Sequence, residues 1–204
     1  MSKIVKSFLN EARSLASLND RHDTLQSRYG VQVLRDEVAT IDPAGGSLTT
    51  RAGTRVAWDR LIVAPGVDFD TTPGISTDAL QARFPHAWKA GVQSTTLRDQ
   101  LVAMSPGQTF LMSIPLAPYR CPPGPYERAC VVADWLKRNR RGAKVLVLDA
   151  NPGIVAEPTN FGNAFKNLYA GIIEYIPNAG VASIDPVARR VFTPMGNFVA
   201  DVIN

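Results

Sequence analysis

Residues 120–129 read Arg-Cys-Pro-Pro-Gly-Pro-Tyr-Glu-Arg-Ala and hold the groups in this chain best suited to covalent chemistry. Cys121 is the nucleophile of the set. A thiol reacts as its thiolate, which helix N-termini and nearby cations favour. The spacing predicts a helix that opens near Pro125, a residue suited to the first helical position, so Cys121 stands just ahead of it. Arg120 is adjacent, and Arg128 lies one turn into the helix. Glu127, in the first turn, is placed to accept a proton from the thiol or from a sulfur substrate. The same residues also fit a blander account, because inert buried cysteines and first-turn glutamates are common in globular proteins.

The elements that must position this group are a strand before it and a helix after it. The run over 109–117 predicts a buried strand, and 126–139 predicts an amphipathic helix with Ala129, Val132, Ala133 and Leu136 on its core face. Strand, tight turn and helix opening form the place where an α/β domain presents chemistry. A nucleotide-binding turn would carry G-x-G-x-x-G, whose glycines let the backbone approach a pyrophosphate. This turn has three prolines, one glycine and one cysteine. Proline fixes φ and removes N–H donors, so the loop is stiff and suited to holding a thiol rather than a phosphate.

The rest of the chain supplies few rival sites. The two cysteines, Cys121 and Cys130, sit nine apart with only two histidines, His22 and His86, which fits no zinc pattern. Cys130 falls beside the core face of its helix and reads as a packing residue. His86 reads as structural or surface. Asp149 ends an apolar run over 144–149 that predicts a buried parallel strand. Without an upstream glycine turn it is a strand-end carboxylate rather than a ribose ligand. Net charge is +4, and the one basic cluster, 137–141, ends a helix, so nucleic-acid binding is not indicated. No stretch approaches a membrane span, and the start lacks the apolar core of a secretory signal. The chain stops at 198–204 in what reads as mid-strand, which predicts a fragment.

In chain order, 1–29 predicts helix, with Asn19 or Asp20 capping a second turn and Gly30 stopping it. A short strand follows at 31–34, then a strand over 36–42, a turn at 43–46 and a hairpin of 47–50 with 54–58. Residues 58–66 predict a buried strand that meets a tight glycine turn. Residues 67–108 predict turns and one helix, 92–104, with Leu97, Leu101 and Met104 on one face. Residues 161–171 predict a helix carrying Phe165, Leu168 and Tyr169, and 172–176 a strand. Residues 187–192 and 198–203 predict strands of a β-meander.

Residues 58–66, 84–91, 119–129 and 200–204 together resemble the flavoprotein subunit of flavocytochrome c sulfide dehydrogenase, a relative of the sulfide:quinone oxidoreductases. The resemblance covers nearly all of 18–204, and the Cys121 string is its most specific part. It implies an α/β fold: a Rossmann-like, three-layer central domain with a parallel sheet and a β-meander, plus an incomplete FAD-domain portion. The implied division is 1–75 for the FAD-domain segment, 76–108 for a connecting helix and loop, and 109–204 for the central domain. The resemblance implies oxidation of sulfide with FAD as electron sink and a cytochrome c subunit as acceptor. Cys121 matches one half of a redox-active disulfide above the flavin, and Glu127 a carboxylate near it. Val38 matches a backbone position facing the FAD adenine, and Ala64, Pro65 and Gly66 a turn against the same cofactor. The family's phosphate-binding glycine turn and its second redox cysteine are absent from these 204 residues, and Cys130 does not match that partner. The expectation is therefore a chain that binds FAD weakly or not at all, either part of a sulfide dehydrogenase or a non-catalytic remnant or interaction domain. The resemblance implies a periplasmic parent; without a signal, the chain as it stands is expected in the cytoplasm.

Overall fold

A computed structural model describes residues 14, 16–18, 22–66, 68–89 and 91–204, which fall into two units, Asn19–Phe69 and Met1–Leu18 with Asp70–Asn204. In the first unit, helix α1 (Asp23–Tyr29) ends at Gly30, where a φ of 66° supplies the left-handed stop and the N–H returns to the Gln26 carbonyl. Of the helix expected over 1–29, the described residues show an α-helix in α1. Ala16–Leu18 is a 3-10 turn, and residues 1–13 and the Asn19 and Asp20 caps lie outside the described residues. Strands β1 (Val38–Asp42), β2 (Ser47–Thr50) and β3 (Arg55–Ala57) form the antiparallel sheet β1-β2-β3, with the turn and hairpin where the sequence places them.

Two expected strands of this unit do not form. Residues 31–34 have no strand structure, and 58–66 has none either. Ile62 is 90% exposed and Val63 61%, so the run read as buried is open. A strand needs a ladder to satisfy its N–H and C=O groups, and among the described residues no strand pairs with either run.

The second unit begins with helix α2 (Asp78–Arg83), N-capped by the Thr77 hydroxyl, which accepts from the Leu80 N–H at 3.3 Å. Helix α3 (Val92–Val102) follows, so the single helix expected over 67–108 is two. Strand β4 (Thr109–Ile114), helix α4 (Gly124–Asn139) and strand β5 (Lys144–Asp149) then form a parallel strand–helix–strand unit. Helix α5 (Pro158–Asn163) runs into a π-helical turn (Ala164–Leu168) that leaves Leu168 exposed while Phe165 and Tyr169 stay buried. The helix expected over 161–171 thus starts earlier and changes pitch, which rotates Leu168 off the core face. Strands β6 (Ile173–Ile176), β7 (Ser183–Asp185), β8 (Arg190–Thr193), β9 (Gly196–Val199) and β10 (Val202–Ile203) complete the chain. The strand expected over 198–203 breaks at Ala200–Asp201. Its first part closes the meander β7-β8-β9, and its second crosses to the parallel sheet β10-β4-β5-β6.

Period-two alternation explains the layering. Phe110, Met112, Val145, Val147 and Val202 face one cluster with Leu97, Leu101, Ala129, Val132 and Leu136 of the helices. Leu111, Leu146, Leu148 and Ile203 face the other, with Ile184 and Val191 of the meander. The parallel sheet therefore lies between helices and an antiparallel sheet, the three layers expected of an α/β domain. Gly74 fits where no side chain could: at φ 90°, a Cβ would lie 1.9 Å from the Ile184 carbonyl oxygen.

Candidate site at the Cys121 turn

The turn is fixed from both ends. Its entry is held by Asn151, beyond β5, whose Oδ1 accepts from the Ala117 N–H at 2.9 Å and whose Nδ2 donates to the Pro115 carbonyl at 3.0 Å. The Ala117–Pro118 bond is cis. At the exit, the Gly124 N–H donates to the Cys121 carbonyl at 2.9 Å, and the Glu127 N–H to the Pro123 carbonyl at 3.0 Å, which starts α4. Tyr119 closes the loop by donating its hydroxyl to the Pro122 carbonyl at 3.2 Å. Cys121 itself has a φ of 61°, a left-handed backbone that a residue with a Cβ adopts at a cost of about 1–3 kcal/mol.

Cys121 and Glu127 are both half-buried and both in the second unit. Arg120 is exposed. Arg128, expected to supply charge beside the thiol, is instead wholly buried and committed elsewhere. Its NH1 donates to the His86 carbonyl and to Asn204 Oδ1, and its NH2 to the Ala87 carbonyl, all at 2.7–2.8 Å. Its guanidinium stacks on Trp88 at 3.6 Å from the ring centroid. Burial pushes it down to about 9, so it stays charged at neutral pH. His86 is structural, as expected: its carbonyl serves Arg128 and its Nδ1 accepts from the Trp88 N–H at 3.0 Å. Cys130 packs against the helix-side core.

Sequence reasoning missed the carboxylate that organises this end of the sheet. Asp149 is wholly buried and accepts from the Tyr126 and Tyr175 hydroxyls, each at 2.8 Å, and from the Asn151 N–H and Nδ2 at 2.9 and 2.7 Å. With four donors its oxygens are saturated and have no capacity left for a ribose. Burial, with this carboxylate behind it, pushes both phenols well above the usual range. Tyr126 is the link to the turn, since it lies two residues beyond Gly124. Only the strand-end position of Asp149 was visible in sequence; that two tyrosines converge on it depends on register.

Val38, Ala64, Pro65 and Gly66 lie in the other unit, all exposed, with Gly66 at φ 82° as the expected glycine turn. Two cavities, of about 220 and 350 Å³, are lined by other residues. Among the described residues no cluster of His, Cys, Asp and Glu could hold a metal ion, and no helix is long and apolar enough to cross a membrane.

Solved structures share this fold. The sulfide:quinone oxidoreductase of the hyperthermophilic bacterium Aquifex aeolicus matches with a TM-score of 0.72 at 16% identity, over 100% of this chain and 48% of that one. The covalent putidaredoxin reductase–putidaredoxin complex matches with a TM-score of 0.70 at 16% identity, over 98% and 47%. Reduced Bacillus anthracis CoADR-RHD matches with a TM-score of 0.68 at 12% identity, over 98% and 35%. The chain thus spans half or less of the length of these proteins. A family model for the central part of the sulfide dehydrogenase [flavocytochrome c] flavoprotein chain matches residues 94–204, more than half of this chain, from within α3 to Asn204. On that match the chain belongs to the flavocytochrome c sulfide dehydrogenase flavoprotein family.

Proposed function

We propose that this chain is the central portion of a FAD-dependent sulfide dehydrogenase that oxidises sulfide and passes electrons to a cytochrome c. Cys121 is the redox-active thiol beside the flavin and Glu127 the carboxylate that takes up or returns its proton. Val38, Ala64, Pro65 and Gly66 form the part of the flavin wall present here. One observation carries the reading: a half-buried cysteine held at φ 61° in a proline-stiffened turn between a buried parallel strand and a helix. Strained backbone persists where the surroundings over-determine it, and such positions cluster at functional sites. A packing cysteine has no need of it.

The chain alone does not retain FAD. When bound, FAD supplies the two-electron acceptor; the residues here orient the thiol and manage its proton. The exposure of Ile62 and Val63 favours a second reading, a non-catalytic remnant or interaction domain, for the polypeptide on its own. Alkylation separates the two. At pH 6, iodoacetamide should label Cys121 well ahead of Cys130, resolved peptide by peptide in a mass spectrometer. Equal rates would leave the remnant as the better account.

A further inference from the structure

The stretches 84–91, 119–129 and 200–204 are far apart in sequence and meet at one buried cation. Arg128 joins α4 to the loop before α3 and to the residue after β10, through carbonyl oxygens and the Asn204 amide only. None of its partners is a carboxylate, and its Nε is buried without a partner. Taking a guanidinium out of water costs several kcal/mol even after relaxation, and neutral acceptors offset it only in part. A leucine could join the same elements without that cost. What a leucine lacks is a flat cation to press on Trp88.

Trp88 leads back to the sulfur. A Cβ built on Gly124 would lie 3.3 Å from Trp88 Cζ3 and 3.2 Å from Cys121 Sγ. The indole edge and the thiol therefore close on the same backbone atom, and a methyl group there would make each give by a few tenths of an ångström. The geometry points to Arg128 as the positioning residue of the Cys121 sulfur, acting through the Trp88 ring. The inference rests on the reading of Cys121 as the reactive thiol. The stack holds the indole, and the indole edge and Gly124 crowd the sulfur at the opening of α4, where a thiolate is favoured. The other ionisable groups in the stretches 84–91, 119–129 and 200–204 are Tyr119, Arg120, Tyr126 and Glu127 on the turn and helix, His86 and Lys89 on the loop, and Asp201 beside β10.

The test is the ratio of the Cys121 and Cys130 alkylation rates from pH 6 to pH 9, in the whole chain and in Arg128→Lys and Gly124→Ala. Lysine keeps the charge but loses the planar stack. Alanine crowds both sulfur and indole without removing any hydrogen bond. In both variants the ratio at pH 6 should fall about tenfold. The pH dependence at Cys121 should move toward that of Cys130. Cys130, on the same helix, should keep its rate, which a general loosening would not allow. If Arg128→Lys fails to fold, Gly124→Ala decides alone. An unchanged ratio in a folded variant overturns the positioning role while leaving the thiol reading intact. A wild-type ratio near one removes both.

Discussion

Two junctions in this chain read alike in sequence and fold differently. Residues 109–124 and 58–66 are each an apolar run that ends in a glycine turn. In the first, β4 lies between β10 and β5, its side chains alternate into two cores, and the turn beyond it is tied down by Asn151 and Tyr119. In the second, the same kind of run lies open with Ile62 in solvent. A buried parallel strand is a property of its neighbours as much as of its residues. The Cys121 turn is thus tied into its sheet and helix by named hydrogen bonds, whereas residues 62–66 lie exposed.

The sharpest way to break this contrast is to truncate equivalent side chains. Phe110 is wholly buried, so Phe110→Ala should cost about 3–5 kcal/mol in urea unfolding. Next in size is Asp149→Ala, which strands two phenols and an amide in the interior. About 3 kcal/mol is expected, read the same way. A loss under about 1 kcal/mol would mean that the network does not organise the turn.

A smaller effect comes from pH. The hydroxyls of buried Tyr126 and half-buried Tyr175 hold their protons above the ordinary phenol value of 10.0, so as pH rises the unfolded chain releases them first. Their contribution is therefore full below pH 10 and falls above it. Arg128, lowered to about 9, works in the opposite sense, because there the folded chain releases the proton first. Comparing wild type with Tyr175→Phe isolates the tyrosine: the variant should lose less stability between pH 9 and pH 11. Smallest of all, Ile62→Ala should change stability by no more than about 0.5 kcal/mol. A value like that of Phe110→Ala would show that 58–66 is packed after all.

What sequence made legible follows the same divide. Periodicity located β4, α4 and β5 and chose the right core face, because those elements meet neighbours within the chain. The Cys121 turn was legible because prolines restrict φ whatever surrounds them. The strands expected at 31–34 and 58–66 failed because composition reports a wish for burial, not the presence of a partner. The break at Ala200–Asp201, which sends β10 to the parallel sheet, is invisible to periodicity. So is the meeting of Arg128 with residues 86–88 and 204, since it depends on the fold alone.

The most direct test of the central contrast, a tied-down Cys121 turn and an exposed run over 58–66, is a fluorescence titration of FAD into the pure chain. No saturable binding is expected at low micromolar FAD, with the protein folded throughout. Stoichiometric binding in that range would contradict it, because residues 38 and 64–66 would then be enclosing the cofactor unaided.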